Sequence, residues 1–305
     1  MTRPSTIKVT VPATTANLGP GFDCLGAALS LYNQFKFSIA DGPKKFEITV
    51  TGEEAPRVSR DKNNLAYQAF LKLYEHINQT PPSVLIEIDL GIPLARGLGS
   101  SATAIVGGLL GANKLAGNPL NQTEVMNLAI AIEGHPDNVV PALLGGCRLT
   151  ASSLTGWVVC DIPWHPDIVP VAAIPNFELS TTEARQVIPI EYSRADAIFN
   201  CAHLGILLRG LETCCREWLQ AGMQDKIHQP YRKFLIKGYE ELRSAALNAG
   251  AYGMVISGAG PTLLALTNLS TSSKVVKAMT DAWKNQGIVT QVQALEINAT
   301  GAVSI

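Results

Sequence analysis

A glycine-rich segment gives the strongest local signal in the chain: Pro93-Leu94-Ala95-Arg96-Gly97-Leu98-Gly99-Ser100-Ser101-Ala102-Thr103. Alternating apolar residues predict a strand over 84–90 before it, and small apolar residues predict a helix from about Ser101 to Leu115 after it. Gly97 and Gly99 allow successive backbone N–H groups to converge on phosphate oxygens. The positive end of the following helix adds to this, and a Ser100 or Ser101 hydroxyl can cap the helix or bind Mg²⁺. The segment is therefore a candidate anion-binding loop.

Two other interpretations of this segment stay open at this point. The glycines and serines are also typical of an ordinary flexible helix entry with a serine cap. Gly97, Gly99 and Ala102 have the spacing of a dinucleotide-binding fingerprint, which needs an acidic residue about 20 positions later. No acidic residue lies between Asp89 and Glu124, and the lysine of a Walker A loop is absent too.

The surrounding pattern predicts a mixed α and β chain in two parts. A first strand (Ile7, Val9, Val11) leads into a Gly- and Pro-containing loop over 13–23. Asn121 and Glu124 have capping-box spacing for a helix that ends at Glu133-Gly134. Prolines interrupt the chain near residue 165, so we expect domains at 1–165 and 166–305. The further predicted strands are 32–39, 46–50, 169–174, 253–257 and 289–294, and the further helices are 64–77, 137–144, 195–211, 231–248 and 274–286.

Composition excludes several classes of protein. Hydrophobic residues make up 47% and charged residues 16% of 305 residues, which is typical of a packed globular chain. The 24 Lys and Arg against 25 Asp and Glu are scattered, which disfavours nucleic acid as a partner. The longest small-residue apolar run, 102–112, is too short to cross a bilayer, and the first residues lack a signal-peptide core. We therefore expect a cytoplasmic protein that interacts with neither nucleic acid nor membrane, with six reduced cysteines and no structural metal.

The glycine-rich segment resembles the PxxxGLGSSAA motif of the GHMP kinase superfamily. Two further motifs follow in the matching order along the chain. The segment ATTANLGPGFDCLGAALSLYN, residues 13–33, resembles the amino-terminal motif of the homoserine kinase family within that superfamily. Ile256-Ser257-Gly258-Ala259-Gly260-Pro261-Thr262 resembles the third GHMP motif, and Gly258, Gly260 and Thr262 are expected to form a loop that packs against the phosphate site. The resemblance spans essentially the whole chain.

This resemblance implies a fold and an activity. The expected fold is a two-domain α+β GHMP kinase, with a left-handed βαβ unit in the amino-terminal ATP-binding domain and a ferredoxin-like carboxy-terminal domain. The expected activity is phosphorylation of the L-homoserine hydroxyl by ATP and Mg²⁺ in threonine biosynthesis, and a homodimer is a candidate assembly. The alternatives are a GHMP kinase for another alcohol, such as mevalonate or shikimate, and a catalytically silent nucleotide-binding paralogue.

The resemblance also implies roles for individual residues. Residues 93–103 and Asn64 are expected to bind ATP, although an N-cap explains Asn64 equally well. The expected Mg²⁺ ligands are Glu133 and Ser101, while position alone makes Glu133 an exposed acid at a helix end. Asn138 is expected to orient the substrate hydroxyl without a dedicated base, against the alternative that Asp137 is the base. The implied substrate-binding residues are Asn17, Asp23, His135, Asn138, Arg185 and Arg232. Without the family, each arginine is more simply a surface charge.

Overall fold

The computed structural model describes residues 5–40 and 45–305. In this part of the chain, seven strands form a first sheet and four form a second. The first sheet contains β1 (Thr6–Ala16), β2 (Leu25–Ile39), β3 (Phe46–Thr51), β4 (Val84–Leu90), β5 (Cys147–Ser153), β6 (Gly156–Ile162) and β11 (Val303–Ser304). The second contains β7 (Val169–Pro175), β8 (Gly253–Ile256), β9 (Leu263–Thr267) and β10 (Thr290–Ala294).

The first sheet is organised around the long strand β2. It pairs with β1 along one edge, and along the other edge it pairs with β5 at one end and β4 at the other. The main order is β11-β1-β2-β4-β3. Strands β3 and β4 run parallel, which requires a crossover, and the helix over Leu65–His76 supplies it. This is the strand–helix–strand unit that leads into the glycine-rich segment.

Four helices accompany this sheet: α1 (Leu65–His76), α2 (Ser100–Leu115), α3 (Gln122–Glu133) and α4 (Pro136–Leu144). Small residues let α2 lie close to the sheet. A Cβ added at Gly107 would lie 2.5 Å from the Phe35 ring, and one at Gly111 would lie 2.3 Å from the Phe37 ring. The predicted capping box of α3, Asn121 with Glu124, is confirmed. Sheet and helices enclose one buried apolar core.

The second sheet has the strand order β10-β7-β9-β8, and all its pairs are antiparallel. Numbered within this unit, the order is 4-1-3-2, that of a ferredoxin-like fold, so the predicted architecture is confirmed. The accompanying helices are α5 (Thr181–Gln186), α6 (Arg194–Thr213), α7 (Arg216–Gly222), α8 (Gln229–Arg232), α9 (Tyr239–Asn248) and α10 (Leu269–Asn285).

The structure corrects the predicted long helix over 231–248. Its first part is the short α8 followed by a 3₁₀ turn over Lys233–Leu235, and α9 begins only after Gly238. Gly238 has a φ of +72°, a left-handed conformation that breaks helical continuity. Strands β5, β6, β9 and β11 were not predicted.

The chain returns to the first sheet at its end, where β11 pairs with β1 and Leu29 bridges to Ile297. Within the described residues, none of the helices combines the length and apolar character needed to cross a bilayer.

Candidate active site

The candidate site is a cavity of about 610 Å³. All three motifs of the sequence contribute to its wall. The lining includes Asn17 and Asp23 from the first loop, Leu94–Ser101 except Leu98, Glu133, His135 and Asn138 from the α3–α4 region, and Gly258–Gly260. Arg185 and Arg232 line it from the carboxy-terminal half. The fold therefore gathers segments that lie far apart in the sequence.

The glycine-rich loop is held in a left-handed backbone path. Gly97 and Gly99 have φ values of +75° and +67°, and Gly99 caps the start of α2. A Cβ at Gly97 would lie 2.2 Å from the Ser257 carbonyl oxygen, and a Cβ at Gly99 would lie 1.9 Å from Thr14 Oγ1. These glycines therefore permit close packing of neighbouring protein as well as approach of a ligand.

The third motif packs on this loop, as predicted. The Ser257 hydroxyl donates to the Gly97 carbonyl (2.7 Å), and the Thr262 amide donates to the Arg96 carbonyl (3.2 Å). The Gly258 amide donates to the Ala16 carbonyl (2.9 Å), which ties the third motif to the first as well. The two sheets thus meet at the candidate phosphate loop.

Several residues of the loop face away from the cavity. Leu98 and Ala102 are core residues, Pro93 is not part of the lining, and Thr103 is buried and hydrogen-bonded to Asn33 (2.8 Å). The Arg96 side chain is buried and donates to three backbone carbonyls, those of Leu94, Pro175 and Asn176. The Arg96 guanidinium therefore stabilises the packing of the loop on β7. The prediction that Arg96 binds nucleotide rests on its backbone atoms.

The two predicted metal ligands contact each other. The Ser101 hydroxyl donates to Glu133 Oε1 at 2.7 Å, which joins the first turn of α2 to the last residue of α3. A carboxylate and a hydroxyl are the hard oxygen donors that Mg²⁺ prefers, and they stand beside the positive end of α2. The donor chemistry therefore fits Mg²⁺. Among the described residues, no group of three or more His, Cys, Asp or Glu side chains is arranged to hold a metal ion.

The start of α4 presents an imidazole and an amide. His135 Nδ1 lies 2.8 Å from Asp137 Oδ1, and this hydrogen bond raises the pKa of His135. Asp137 itself is buried and does not line the cavity, and its Oδ2 has no hydrogen-bond partner. Asn138 lines the cavity and accepts a hydrogen bond from Thr14 Oγ1 (2.7 Å). The carboxylate considered as a base is therefore set behind the two residues that face the cavity.

The cavity is also lined by charged groups of both signs. Arg185 forms a two-pronged pair with Asp23, with nitrogen–oxygen distances of 2.7 and 3.0 Å. Arg232 is buried, and its Nε and Nη1 donate to the Ala184 and Gly258 carbonyls. Burial first, and then the neighbouring Arg185 charge, lowers the pKa of Arg232 to about 10. Arg232 is therefore not the surface charge that residue type alone suggests.

Asn17 and Asn64 both have structural hydrogen bonds. The Asn17 amide donates to the Gly258 carbonyl (2.9 Å), and its oxygen accepts from the Asp23 amide (2.8 Å). Asn64 is confirmed as the N-cap of α1, since its Oδ1 accepts from the Ala66 and Tyr67 amides. Both residues also line the cavity, and their contacts with substrate and adenine stay predictions.

Three residues near the site escaped the sequence analysis. Thr14 contacts Asn138, and the Phe22 ring lies 5.6 Å from the Arg185 guanidinium carbon and 5.1 Å from that of Arg232. His228 stacks on Phe22 and its Nε2 lies 2.8 Å from the Gly19 carbonyl oxygen. Thr14 and Phe22 lie within the quoted amino-terminal motif, and this position in the sequence could have indicated that they are near the site.

Comparison with known proteins identifies the family of the chain. The GHMP kinases N terminal domain model matches residues 64–146, and the GHMP kinases C terminal model matches residues 207–285. A homoserine kinase of Trichodesmium erythraeum (strain IMS101) is 84% identical over 303 residues, covering 99% of both chains. A homoserine kinase of Trichormus variabilis is 65% identical and covers 98% of both.

A solved structure extends the likeness to three dimensions. The crystal structure of homoserine kinase from Cytophaga hutchinsonii superposes with a TM-score of 0.89 at 30% identity, over 100% of this chain and 99% of that one. Fold, motif positions and full-length identity lead to one assignment. This chain belongs to the homoserine kinase family of the GHMP kinases.

Proposed function

We propose that this protein transfers the γ-phosphoryl group of ATP to the side-chain hydroxyl of L-homoserine, giving O-phospho-L-homoserine and ADP. Relatives that match nearly the whole chain carry the name homoserine kinase, which supports this reaction. By the same resemblance the reaction belongs to threonine biosynthesis in the cytoplasm.

The observation that carries the proposal is the placement of Asp23, Arg185 and Arg232 in the same cavity as the glycine-rich loop. L-Homoserine presents a carboxylate, an ammonium and a hydroxyl. Arginine side chains suit the carboxylate, and the Asp23 carboxylate suits the ammonium. Asn138 lies on the loop's side of the cavity, where it is suited to the hydroxyl.

Asp23 and Arg185 are suited to give up their ion pair and to bind the two charged groups of a zwitterionic ligand instead. Both side chains are about a third or more exposed, 33% for Asp23 and 40% for Arg185, so their mutual attraction is worth only about 0–1 kcal/mol after solvent screening. A ligand that carries both charges gives each residue a new partner. A ligand with one charge leaves Asp23 or Arg185 uncompensated.

The phosphoryl transfer balances without a dedicated protein base. A bond forms from the homoserine oxygen to the γ-phosphorus while the bond to the β,γ-bridging oxygen breaks, and ADP leaves with that electron pair. The hydroxyl proton passes to an oxygen of the transferred group and then to water. Such a loose transition state depends mainly on positioning and charge stabilisation.

Each part of the protein then has a defined task. The amides around Gly97–Ser101 and the start of α2 would hold the phosphates. Glu133 and Ser101 would hold Mg²⁺, which when bound would neutralise charge on the phosphates. His135, whose pKa is raised by its hydrogen bond to Asp137, lines the same cavity.

The test is turnover by the purified protein with Mg-ATP and candidate alcohols. We expect ADP and O-phospho-L-homoserine from L-homoserine, and far lower turnover of mevalonate and shikimate, which lack the ammonium group. Preferred turnover of another alcohol would assign a different kinase activity. ATP binding without turnover of any alcohol would indicate a nucleotide-binding paralogue instead.

A further inference from the structure

Thr14 makes a buried contact that the sequence analysis did not anticipate. Its hydroxyl donates to Asn138 Oδ1 at 2.7 Å, and the two residues are 124 positions apart in the chain. Thr14 is fully buried on β1, and Asn138, 9% exposed, lies in the first turn of α4. The contact therefore joins the central sheet to the residue expected to face the substrate hydroxyl.

This contact determines which atom of the Asn138 carboxamide, Oδ1 or Nδ2, is already hydrogen-bonded within the protein. The carboxamide oxygen is turned to the Thr14 hydroxyl, while Nδ2 has one long contact, 3.5 Å to Asp137 Oδ1. Since Nδ2 carries two hydrogens, at least one stays available to a ligand in the cavity that Asn138 lines. Asn138 thus meets the cavity as a hydrogen-bond donor.

We propose that Thr14 is a positioning residue that holds the Asn138 amide with its N–H₂ group toward the cavity, where it donates to the substrate hydroxyl oxygen. This inference rests on the proposed phosphorylation of L-homoserine and specifies how that hydroxyl is oriented.

The surroundings of Thr14 suit it to this role. The Thr14 amide donates to the Leu98 carbonyl (3.1 Å), so the same residue also contacts the backbone of the phosphate loop. A side chain at Gly99 would place its Cβ 1.9 Å from Thr14 Oγ1 and 3.0 Å from Asn138 Oδ1. Because Gly99 has no side chain, there is space for the hydrogen bond between Thr14 and Asn138. The glycine-rich loop, Thr14 and Asn138 therefore lie in mutual contact.

The donor role has a chemical consequence. An amide N–H bound to one lone pair of the hydroxyl oxygen leaves the other free to attack the γ-phosphorus. The hydroxyl proton then points away from Asn138, toward an oxygen of the transferring group that accepts it as the new O–P bond forms and the bond to ADP breaks. Asn138 neither gains nor loses a proton in this step.

The first test is a double-mutant cycle on the full-length protein. Thr14→Val keeps the shape but removes the hydroxyl, and we expect kcat to fall about 10- to 100-fold because the amide loses its fixed orientation. The KM values for ATP and L-homoserine should change less than about threefold. Thr14→Ser should restore most of kcat. In an Asn138→Ala background, Thr14→Val should lower kcat no further, whereas additive losses would overturn the proposal.

A matched control is available one residue along the same strand. Thr15 is also fully buried, and its Oγ1 lies 2.9 Å from Ser257 Oγ, with no hydrogen bond to Asn138. Thr15→Val removes a comparable buried hydroxyl, so it should leave kcat within about threefold of wild type. A loss in Thr15→Val equal to that in Thr14→Val would overturn the specific role of Thr14.

The second test replaces the donor with an acceptor and stays informative if Thr14→Val fails to fold. Asn138→Asp keeps an oxygen for Thr14 but presents another oxygen to the substrate. We expect a kcat at least as low as that of Asn138→Ala, about 100-fold below wild type. A kcat near or above wild type would overturn the donor role. Absence of L-homoserine turnover in the wild type refutes the proposed function itself, which separates the two failures.

Discussion

At the scale of single residues, the variant Arg185→Ala tests whether Arg185 binds the substrate carboxylate. Replacing Arg185 with Ala removes a guanidinium that lines the cavity and is paired with Asp23. Hydrogen bonds to charged groups contribute about 1.5–3 kcal/mol, so we expect the KM for L-homoserine to rise about 10- to 100-fold. Steady-state kinetics should show the KM for ATP nearly unchanged.

Arg209→Ala is the matched control, because Arg209 is exposed on α6 and pairs with Glu212. Equal effects on both KM values would contradict the assignment.

His228 gives a prediction about stability and pH. It is completely buried, and burial lowers its pKa below the usual 6.5 despite the opposing charge of Asp225. The native protein therefore keeps His228 neutral, whereas the unfolded chain takes up a proton below about pH 6.5. The contribution of His228 to stability is present above that pH and is lost as the pH falls toward the native pKa.

We therefore expect urea unfolding to show a smaller loss of stability between pH 7.5 and 5 in His228→Gln than in wild type. Glutamine can still donate to the Gly19 carbonyl but does not titrate. His76→Gln, a change at an exposed histidine of α1, is the matched control. The prediction fails if His228→Gln loses as much stability as wild type over this range.

At the scale of elements, the glycine-rich loop depends on Gly97 and Gly99, whose hydrogens face other protein atoms. Gly99→Ala would force a Cβ to within 1.9 Å of Thr14 Oγ1 in addition to left-handed strain. Gly287 has nearly the same φ, +70°, with nothing within 4 Å of its added Cβ. Gly287→Ala should therefore cost only the strain of about 1–2 kcal/mol, as measured by urea unfolding. Gly99→Ala should cost about 1–3 kcal/mol more and weaken ATP binding. Equal losses of unfolding free energy in the two variants would show that the close packing at Gly99 does not contribute to stability.

The elements that the sequence predicted well are those with a local cause. Apolar alternation located β4, the spacing of Asn121 and Glu124 located the start of α3, and the glycine-rich loop was recognised from its own residues. Strand β9 is a continuous buried run of four apolar residues and Thr267, which periodicity alone does not distinguish from a buried helical segment. Strand β11 has two residues, and its partner β1 lies at the other end of the chain.

The same division applies to the site. Motif resemblance located Glu133, Ser101, Asn138 and the two arginines, and the fold brings all of them to one cavity. The contact of Thr14 with Asn138 and the use of Arg96 as a docking residue depend on where distant segments meet. A single sequence contains no local signal for such contacts.

At the scale of the whole molecule, the two parts of the chain are interdependent. The third motif donates hydrogen bonds to the phosphate loop, and β11 pairs with β1 in the first sheet. We therefore expect a fragment of residues 1–165 to bind ATP much more weakly than the full chain and to unfold at lower urea concentration. Calorimetric titration and urea unfolding would measure both. A fragment that matches the full chain would show that the amino-terminal domain forms its site alone.

The most direct test of the central claim is a crystal structure with Mg²⁺, a non-hydrolysable ATP analogue and L-homoserine. Our account predicts the β- and γ-phosphates against the amides of Gly97–Ser101, with Mg²⁺ on Glu133 and the homoserine hydroxyl in line with the γ-phosphorus and beside Asn138 Nδ2. A triphosphate bound elsewhere, with this loop making no contact to it, would contradict the account.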